Sequence, residues 1–201
     1  RRWTPGRQGY STPAATAGVG SRSRATRAAG CGRRSARLHS TTVTHPSADA
    51  PPLALVCHPS GRPGVVAGIG AWASRSGDAL ELRYRLDGRL DRLVVPPATA
   101  PGRRDGLWRH TCFEAFVRRA GETGYAELNV SPSGQWAAYR LDGYREGLRD
   151  LQLVAAPVVE VRRGEGRLEV VCRIARIPEP WRQAERLRLA LSAVVEADGG
   201  A

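Results

Sequence analysis

Alternation of apolar and polar side chains dominates the chain from Leu53 onward, and this pattern predicts β-strands. In residues 78–86 the apolar side chains Leu80, Leu82, Tyr84 and Leu86 share one face, and charged residues occupy the other. A period of two is typical of a half-buried strand. The pair Asp87 and Gly88 then supplies a hairpin turn, so residues 89–95 are the predicted partner strand.

The same pattern recurs in shorter runs along the rest of the chain. It predicts strands at residues 111–117, 125–130, 135–141, 153–161, 167–174 and 187–195, with turns at residues 121–124 and 163–166. Helical periodicity is weak, and residues 180–188 are the one short helix that the sequence favours. Many short strands joined by turns predict an all-β fold, an antiparallel β-sandwich or jelly roll.

The first fifty residues do not follow this pattern. They are rich in Arg, Ser, Thr, Ala and Gly and contain almost no large aliphatic side chains. Such a segment cannot bury enough apolar surface to offset the entropy lost on ordering. The sequence therefore predicts a disordered tail at residues 1–50 and one folded domain at residues 51–201. An arginine- and serine-rich leader is also typical of an organelle transit peptide, and a chain that is a fragment of a longer protein is a further alternative.

Charge alone does not assign a partner. The formal net charge is +12, and all 31 basic residues are arginine. The tail has nine arginines and one acid, whereas the domain alternates 22 arginines with 18 acids. Because the domain has no basic stripe with interleaved aromatics, we expect no nucleic-acid partner. No apolar run is long enough to span a bilayer and no secretory signal is present, so we expect no membrane partner and a cytoplasmic location, and the oligomeric state stays open.

Three segments in the middle of the chain are similar to a known family. Residues 107–116 read LWRHTCFEAF, residues 125–139 read YAELNVSPSGQWAAY, and residues 142–145 read DGYR. Together with the pair His58 and Pro59, this stretch resembles the DOMON-like bacterial proteins related to family 9 carbohydrate-binding modules, over about residues 53–200. The resemblance implies a β-sandwich whose relatives bind sugars or haem, and many members of this bacterial branch are functionally uncharacterised.

The resemblance also implies a strand that this chain does not include. Relatives continue beyond the segment LSAVVEADGG with another strand that carries Trp and His, whereas the sequence ends at Ala201. The expected fold is therefore a DOMON-like or jelly-roll sandwich that lacks its last strand. An unpaired neighbouring strand would favour self-association and poor solubility.

Two tryptophans are the candidate stacking residues for a sugar. An indole can cover the apolar face of a sugar ring while nearby polar groups bind the hydroxyls. Family 9 modules bind sugar between aromatic rings, so the resemblance suggests this role for Trp108 and Trp136. A tryptophan in a strand is more often part of the core, and this alternative stays open for both.

Candidate polar partners are Arg109, Glu114, Glu127 and Asn129, of which Arg109, Glu114 and Asn129 are the predicted ligand contacts. Alternation places Glu114 on the same face as Cys112 and Phe116, so it is expected to be partly buried and to need a partner, for which Arg109 or Arg140 is available. On the next strand Tyr125, Glu127 and Asn129 share a face that meets solvent or lines a groove. Ser131 and Ser133 are expected to bond backbone amides in the Ser-Pro-Ser-Gly turn.

Catalysis and cofactors have little support in the sequence. Glu114 and Glu127 could act as a glycosidase pair only in a cleft that tunes their protonation, and no GxSxG, phosphate loop or HExxH motif is present. The cysteines have no metal-ligand spacing and are expected to be buried thiols. A haem site through His58 and His110 or a structural calcium stays open. The leading hypothesis is a non-catalytic carbohydrate-binding domain without a cofactor; the alternatives are a haem-binding module and a structural or interaction domain.

Overall fold

The regular structure of the described residues consists of strands and short 3-10 turns. The computed structural model describes residues 7–11, 41–42, 51–58 and 64–198. The strands are β1 Arg7–Ser11, β2 Thr41–Thr42, β3 Leu53–Cys57, β4 Val66–Ser76, β5 Ala79–Gly88, β6 Gly102–Arg103, β7 Cys112–Arg119, β8 Tyr125–Val130, β9 Gln135–Leu141, β10 Arg149–Asp150, β11 Val158–Gly164, β12 Arg167–Ile174 and β13 Leu187–Glu196. The 3-10 turns are Leu90–Arg92, Leu107–Arg109 and Trp181–Gln183.

The strands form two sheets that share one border. The first sheet runs in the order β10, β9, β8, β7, β13, β1, and the second in the order β3, β4, β5, β12, β11. Strand β1 pairs with β13 on one side and with β3 on the other, so it joins the two sheets. The long strands pair antiparallel, and short β6 lies parallel to β9. The predicted fold class, an all-β antiparallel sandwich, is confirmed.

One apolar core lies between the two sheets. The inner face of β5 contributes the four alternating residues of the predicted strand, all at most 2% exposed. The ring of Tyr84 stacks on Phe113 of β7 with the centroids 4.9 Å apart. Its hydroxyl donates to the backbone oxygen of Glu114 at 2.8 Å, and burial raises the pKa of Tyr84 well above its ordinary value. The alternation pattern thus predicted both this strand and its buried face.

The predicted hairpin after residue 86 is wrong. Residues 89–95 contain a 3-10 turn, Leu90–Arg92, and Leu93 makes an isolated bridge to Ala197. Strand β5 pairs instead with β4 and β12. Glycine at position 88 allows the backbone at Val65 to approach closely, because a Cβ at residue 88 would lie 2.3 Å from the backbone oxygen of Val65. Strand β4 was missed because its sequence, VAGIGAWASRS, has many small residues and little contrast between its faces.

Two other predicted elements are shorter than expected. The predicted helix at residues 180–188 reduces to the 3-10 turn Trp181–Gln183, and Leu187 already begins β13. The strand predicted at residues 153–161 begins at Val158. The strand begins late because Pro157 directly precedes Val158, and proline restricts the backbone of the residue before it. The helix is short because Leu187 and the residues after it pair with β7.

The predicted disordered tail, residues 1–50, lies largely outside the described residues. Within it, the backbones of β1 and β2 pair with β13. The boundary between tail and domain stays a prediction, as does the further strand implied by the resemblance. No helix in the described part of the chain is long and apolar enough to cross a membrane, and the cellular location stays a prediction.

Two of the cysteines are buried free thiols, as predicted. Cys112 and Cys172 are fully enclosed and Cys57 is half-buried. Burial raises the pKa of the Cys172 thiol to about 12, so this sulfur stays protonated and unreactive at neutral pH. Cys31 lies outside the described residues.

Candidate binding site

The face of the first sheet that points away from the second sheet, here called the outer face, is also covered. Glu127 and Asn129 of β8 are 3% and 0% exposed. The 3-10 turn Leu107–Arg109 lies against this face, where it contacts β7 and β8. Leu107 and Trp108 from this turn pack with residues of the outer face in a second, smaller apolar cluster: Cys112, Phe116, Tyr125, Ala137, Tyr139 and Leu141. The polar face predicted on β8 therefore neither meets solvent nor lines an open groove.

A polar row crosses the outer face beneath this turn. Ser192, Glu114 and Asn129 lie directly opposite one another on β13, β7 and β8. The Ser192 hydroxyl donates to Oε2 of Glu114 at 2.9 Å, and Nδ2 of Asn129 donates to Oε1 of Glu127 at 3.1 Å. Oδ1 of Asn129 is buried and has no hydrogen-bond partner among the described residues, a cost of about 1–3 kcal/mol. Hydrogen bonds thus link neighbouring members of the row.

Tyr139 of β9 organises a second group at the rim of the outer face, the Tyr139 cluster, formed by Arg103, Asp105, Trp108, Tyr139 and Asp150. The Trp108 ring meets the Tyr139 ring edge-on, with centroids 5.7 Å apart and planes at 73°. The Arg103 guanidinium lies 5.4 Å from the centre of the same ring. The Tyr139 hydroxyl donates to Oδ1 of Asp105 at 2.7 Å. An aromatic platform and charged groups therefore meet around one buried tyrosine.

Arg103 orders the two carboxylates of the Tyr139 cluster. Its Nη2 donates to Asp105 at 3.0 Å and to Asp150 at 2.6 Å. The side chains of Asp105 and Asp150 are 69% and 58% exposed, so both keep acceptor positions open to solvent. Burial, and after it the hydrogen bond to Asp105, raises the pKa of Tyr139 above its ordinary value. The tyrosine therefore stays a neutral donor, and the cluster can accept hydroxyl groups beside a half-buried indole.

The structure brings four of the five predicted site residues to the outer face. Trp108 is half-buried in the Tyr139 cluster, and Arg109 is exposed beside it. Glu114 and Asn129 are buried beneath the turn, at 5% and 0% exposure. Trp136 is not part of this group, because it shares the inner face of β9 with Ala138 and packs against the main core. Adjacent residues of a strand point to opposite faces, which separates Trp136 from the others.

The sequence interpretation missed most of the Tyr139 cluster. Arg103 and Asp105 lie in a stretch whose sequence has no apolar–polar periodicity. Arg103 contacts Asp150, which is 47 residues away along the chain. A signal was available for Tyr139, which alternation places on the same face of β9 as Ala137 and Leu141. Because Tyr139 pairs with Glu127 of β8, it lies beside the candidate polar residues.

The Ser-Pro-Ser-Gly turn has the structural role predicted for it. The backbone N–H and the hydroxyl of Ser133 both donate to Oγ of Ser131, at 3.1 and 2.9 Å. Gly134 has φ +90°, a region that favours glycine. Both serines are buried, so their hydroxyls hold the corner between β8 and β9.

Histidines and metal ligands are dispersed in the described structure. Nδ1 of His110 lies 2.8 Å from Oε2 of Glu196, at an exposed position. His58 is exposed at the end of β3. The described residues contain no group of three or more His, Cys, Asp or Glu that could hold a metal ion. No observation therefore favours the haem alternative, which stays a prediction.

The fold and the rim cluster define the chain as a β-sandwich with an aromatic and carboxylate surface site. No protein-family model matches the chain, and no curated protein does. It is similar to a solved structure from Bacteroides uniformis described as a "putative carbohydrate-binding protein", with 14% identity and a TM-score of 0.36. The match covers 64% of this chain and 52% of that chain, so it spans about half the length of the solved protein.

Proposed function

We propose that this chain is a non-catalytic carbohydrate-binding domain of the DOMON-like type, with its sugar site at the Tyr139 cluster. The observation that carries the proposal is that Arg103 orders two exposed carboxylates beside the half-buried Trp108. A sugar ring offers apolar C–H groups to the indole and hydroxyl donors to the carboxylates. Because the protein already fixes these groups, little ordering entropy opposes binding.

The predicted site residues divide into contacts and supports in this proposal. Trp108 and Arg109 contact the ligand, since Trp108 is only half-buried and Arg109 is exposed. Glu114 and Asn129 have a supporting role, because both are buried. Trp136 packs against the core and lies outside the proposed site.

The exposure of the carboxylates supports binding rather than hydrolysis. A glycosidase needs one carboxylic acid whose pKa is raised by an apolar, enclosed environment. Asp105 and Asp150 are instead more than half exposed and share one arginine. Carboxylates in this arrangement are placed to accept hydrogen bonds from a ligand.

Calorimetric titration of the full chain with a panel of mono- and oligosaccharides tests the proposal. We expect a sugar in the panel to bind, and Trp108→Ala to weaken that binding by about tenfold or more, since stacked aromatics are major contributors to affinity. Asp105→Asn and Asp150→Asn should each weaken it several-fold. The matched control is Trp72→Ala, whose ring lies in the second sheet, 5.7 Å from the Arg85 guanidinium.

Two outcomes would overturn the proposal. One is a panel in which no sugar binds to the folded wild-type chain. The other is a sugar whose affinity is equal in wild type, Trp108→Ala and Trp72→Ala, with circular dichroism showing that all three are folded. Binding that depends on Trp136 and not on Trp108 would move the site to the inner face.

A further inference from the structure

The second sheet ends in a strand that pairs on one side. Among the described residues, β11 pairs with β12, and its other edge carries no strand. Val159 and Val161 point inward and pack against the main core. Val158, at the start of the strand, is 57% exposed. Such an edge presents backbone N–H and C=O groups to another strand.

We propose that β11 pairs antiparallel with β11 of a second copy of this chain, about a two-fold axis that passes beside Val161. A two-fold axis perpendicular to the sheet keeps inward side chains on the inward face, so every allowed register is centred on a residue. Centring on Val161 pairs all seven residues of β11. The second sheet of one copy and the second sheet of the other then form one continuous sheet across the dimer.

The charges of β11 are complementary in this register. With Val161 at the centre, Glu160 lies opposite Arg162 of the second copy, and symmetry repeats the pair. A register centred on Glu160, Arg162 or Arg163 places that residue opposite itself, which is unfavourable for like charges. Arg162 lies opposite Glu169 of β12 but forms no ion pair among the described residues, whereas Glu160 accepts a hydrogen bond from Arg173 of its own chain. A cation is thus available for the second copy's glutamate.

Two of the three valines of β11 fit the same register, while the third, Val159, lies opposite Arg163 of the second copy. Val161 meets Val161 of the second copy on the inward face, and Val158 lies opposite Gly164, which has no side chain to obstruct it. Charged residues on an edge strand ordinarily prevent pairing, but here the pattern is complementary to itself. Seven paired residues extend about 24 Å, a smaller contact than a standard stable interface. The dimer is therefore expected to form in a concentration-dependent manner in roughly the micromolar range.

Sedimentation equilibrium of the full chain over a wide concentration series tests the proposal. Wild type should change from monomer to dimer as concentration rises. Glu160→Arg and Arg162→Glu each place two like-charge pairs across the axis, so each should raise the dimer dissociation constant about tenfold or more. The double variant, E160R with R162E, restores opposite charges and should return to within about threefold of wild type. Matched controls for net charge are Glu185→Arg and Arg186→Glu, both exposed away from β11.

The double variant separates this interface from effects within one chain. Loss of the Glu160–Arg173 contact would remain in the double variant, and so would repulsion between the carboxylate introduced by Arg162→Glu and the facing Glu169. A dimer that is weaker in the double variant than in either single variant overturns the proposal, as does a wild type that stays monomeric throughout. If a single variant does not fold, hydrogen exchange of wild type decides: amides of β11 should be protected more at high concentration, and equal protection overturns the proposal.

Discussion

The two faces of the first sheet are buried for different reasons. The inner face packs against the second sheet, and its side chains in the core cluster are apolar, such as Phe113 and Val117. The outer face has no second sheet above it, yet Glu114 and Asn129 on it are as deeply buried as the core. The 3-10 turn Leu107–Arg109 lies against β7 and β8 on this side. The inner face is thus buried among apolar residues, whereas the buried outer face carries a polar row linked by hydrogen bonds.

Because of this difference, the inner face contributes mainly to stability and the outer face mainly to the candidate site. The inner face gains stability from apolar area, which contributes about 25 cal/mol per Å². The outer face gains less, because its polar groups exchange water for protein hydrogen bonds of small net benefit. The same polar and aromatic groups order the Tyr139 cluster at its rim. We therefore expect substitutions on the inner face to change mainly unfolding, and those on the outer face to change mainly the candidate site.

Phe113→Ala is expected to have the largest effect on stability. Phe113 is fully buried and stacks on Tyr84, so its truncation leaves a cavity and should lower the free energy of unfolding by about 3–5 kcal/mol. Urea unfolding followed by circular dichroism measures this. Phe116→Ala, on the half-buried outer side of the same strand, is the matched control and should cost less than half as much. An equal decrease in the free energy of unfolding for both variants would show that the two faces contribute alike to stability.

Leu107→Ala tests whether one turn covers the outer face. Leu107 is 7% exposed in the turn above the polar row, and its truncation should lower the free energy of unfolding by about 2–3 kcal/mol. The summed emission of the five tryptophans should also shift to the red as water reaches the Trp108 indole. Leu148→Ala, at a position that is 52% exposed, is the control and should cost less than about 0.5 kcal/mol. An unchanged emission spectrum in Leu107→Ala would show that the cover does not depend on this leucine.

Asn129→Ala probes the polar row itself. The variant loses the donor to Glu127 but also removes the unpartnered Oδ1, so the two effects partly cancel and the expected cost is about 1–2 kcal/mol. Ser192→Ala removes the donor to Glu114 with no such compensation and should cost at least as much. Urea unfolding of both variants measures the order. A cost for Asn129→Ala far above that for Ser192→Ala would indicate that its oxygen is bonded in solution.

The sequence predicted the strand faces better than their surroundings. Alternation correctly separated Glu114 from Phe113 and Asn129 from Val130, because the side-chain direction in a strand has a period of two. It could not predict that the turn at residues 107–109 covers the outer face, since that turn has no periodicity. It also could not bring Arg103 to Asp150, because such a contact depends on sheet order. The sequence therefore did not predict the tertiary arrangement around Tyr139, where the proposed site lies.

Tyr139→Phe, on the outer face, gives the smallest expected effect on the free energy of unfolding. This effect depends on pH. At pH 7 the variant loses the hydrogen bond to Asp105 and should be less stable by about 1 kcal/mol. The folded pKa of Tyr139 is raised, while in the unfolded chain tyrosine titrates near pH 10, roughly its ordinary value. Above about pH 10 the unfolded wild type therefore loses this proton while the folded protein keeps it, so wild-type stability falls as pH rises.

The phenylalanine variant lacks this titration, so the stability gap between the two proteins should narrow as pH rises above about 10. Urea unfolding of both proteins between pH 7 and roughly pH 11 measures the gap. Tyr84 and the arginines are common to both proteins, so their titration cancels in the difference. A gap that stays constant over this range would mean that Tyr139 is not held by Asp105 in solution, and the ordered rim proposed for sugar binding would lose its central hydrogen bond.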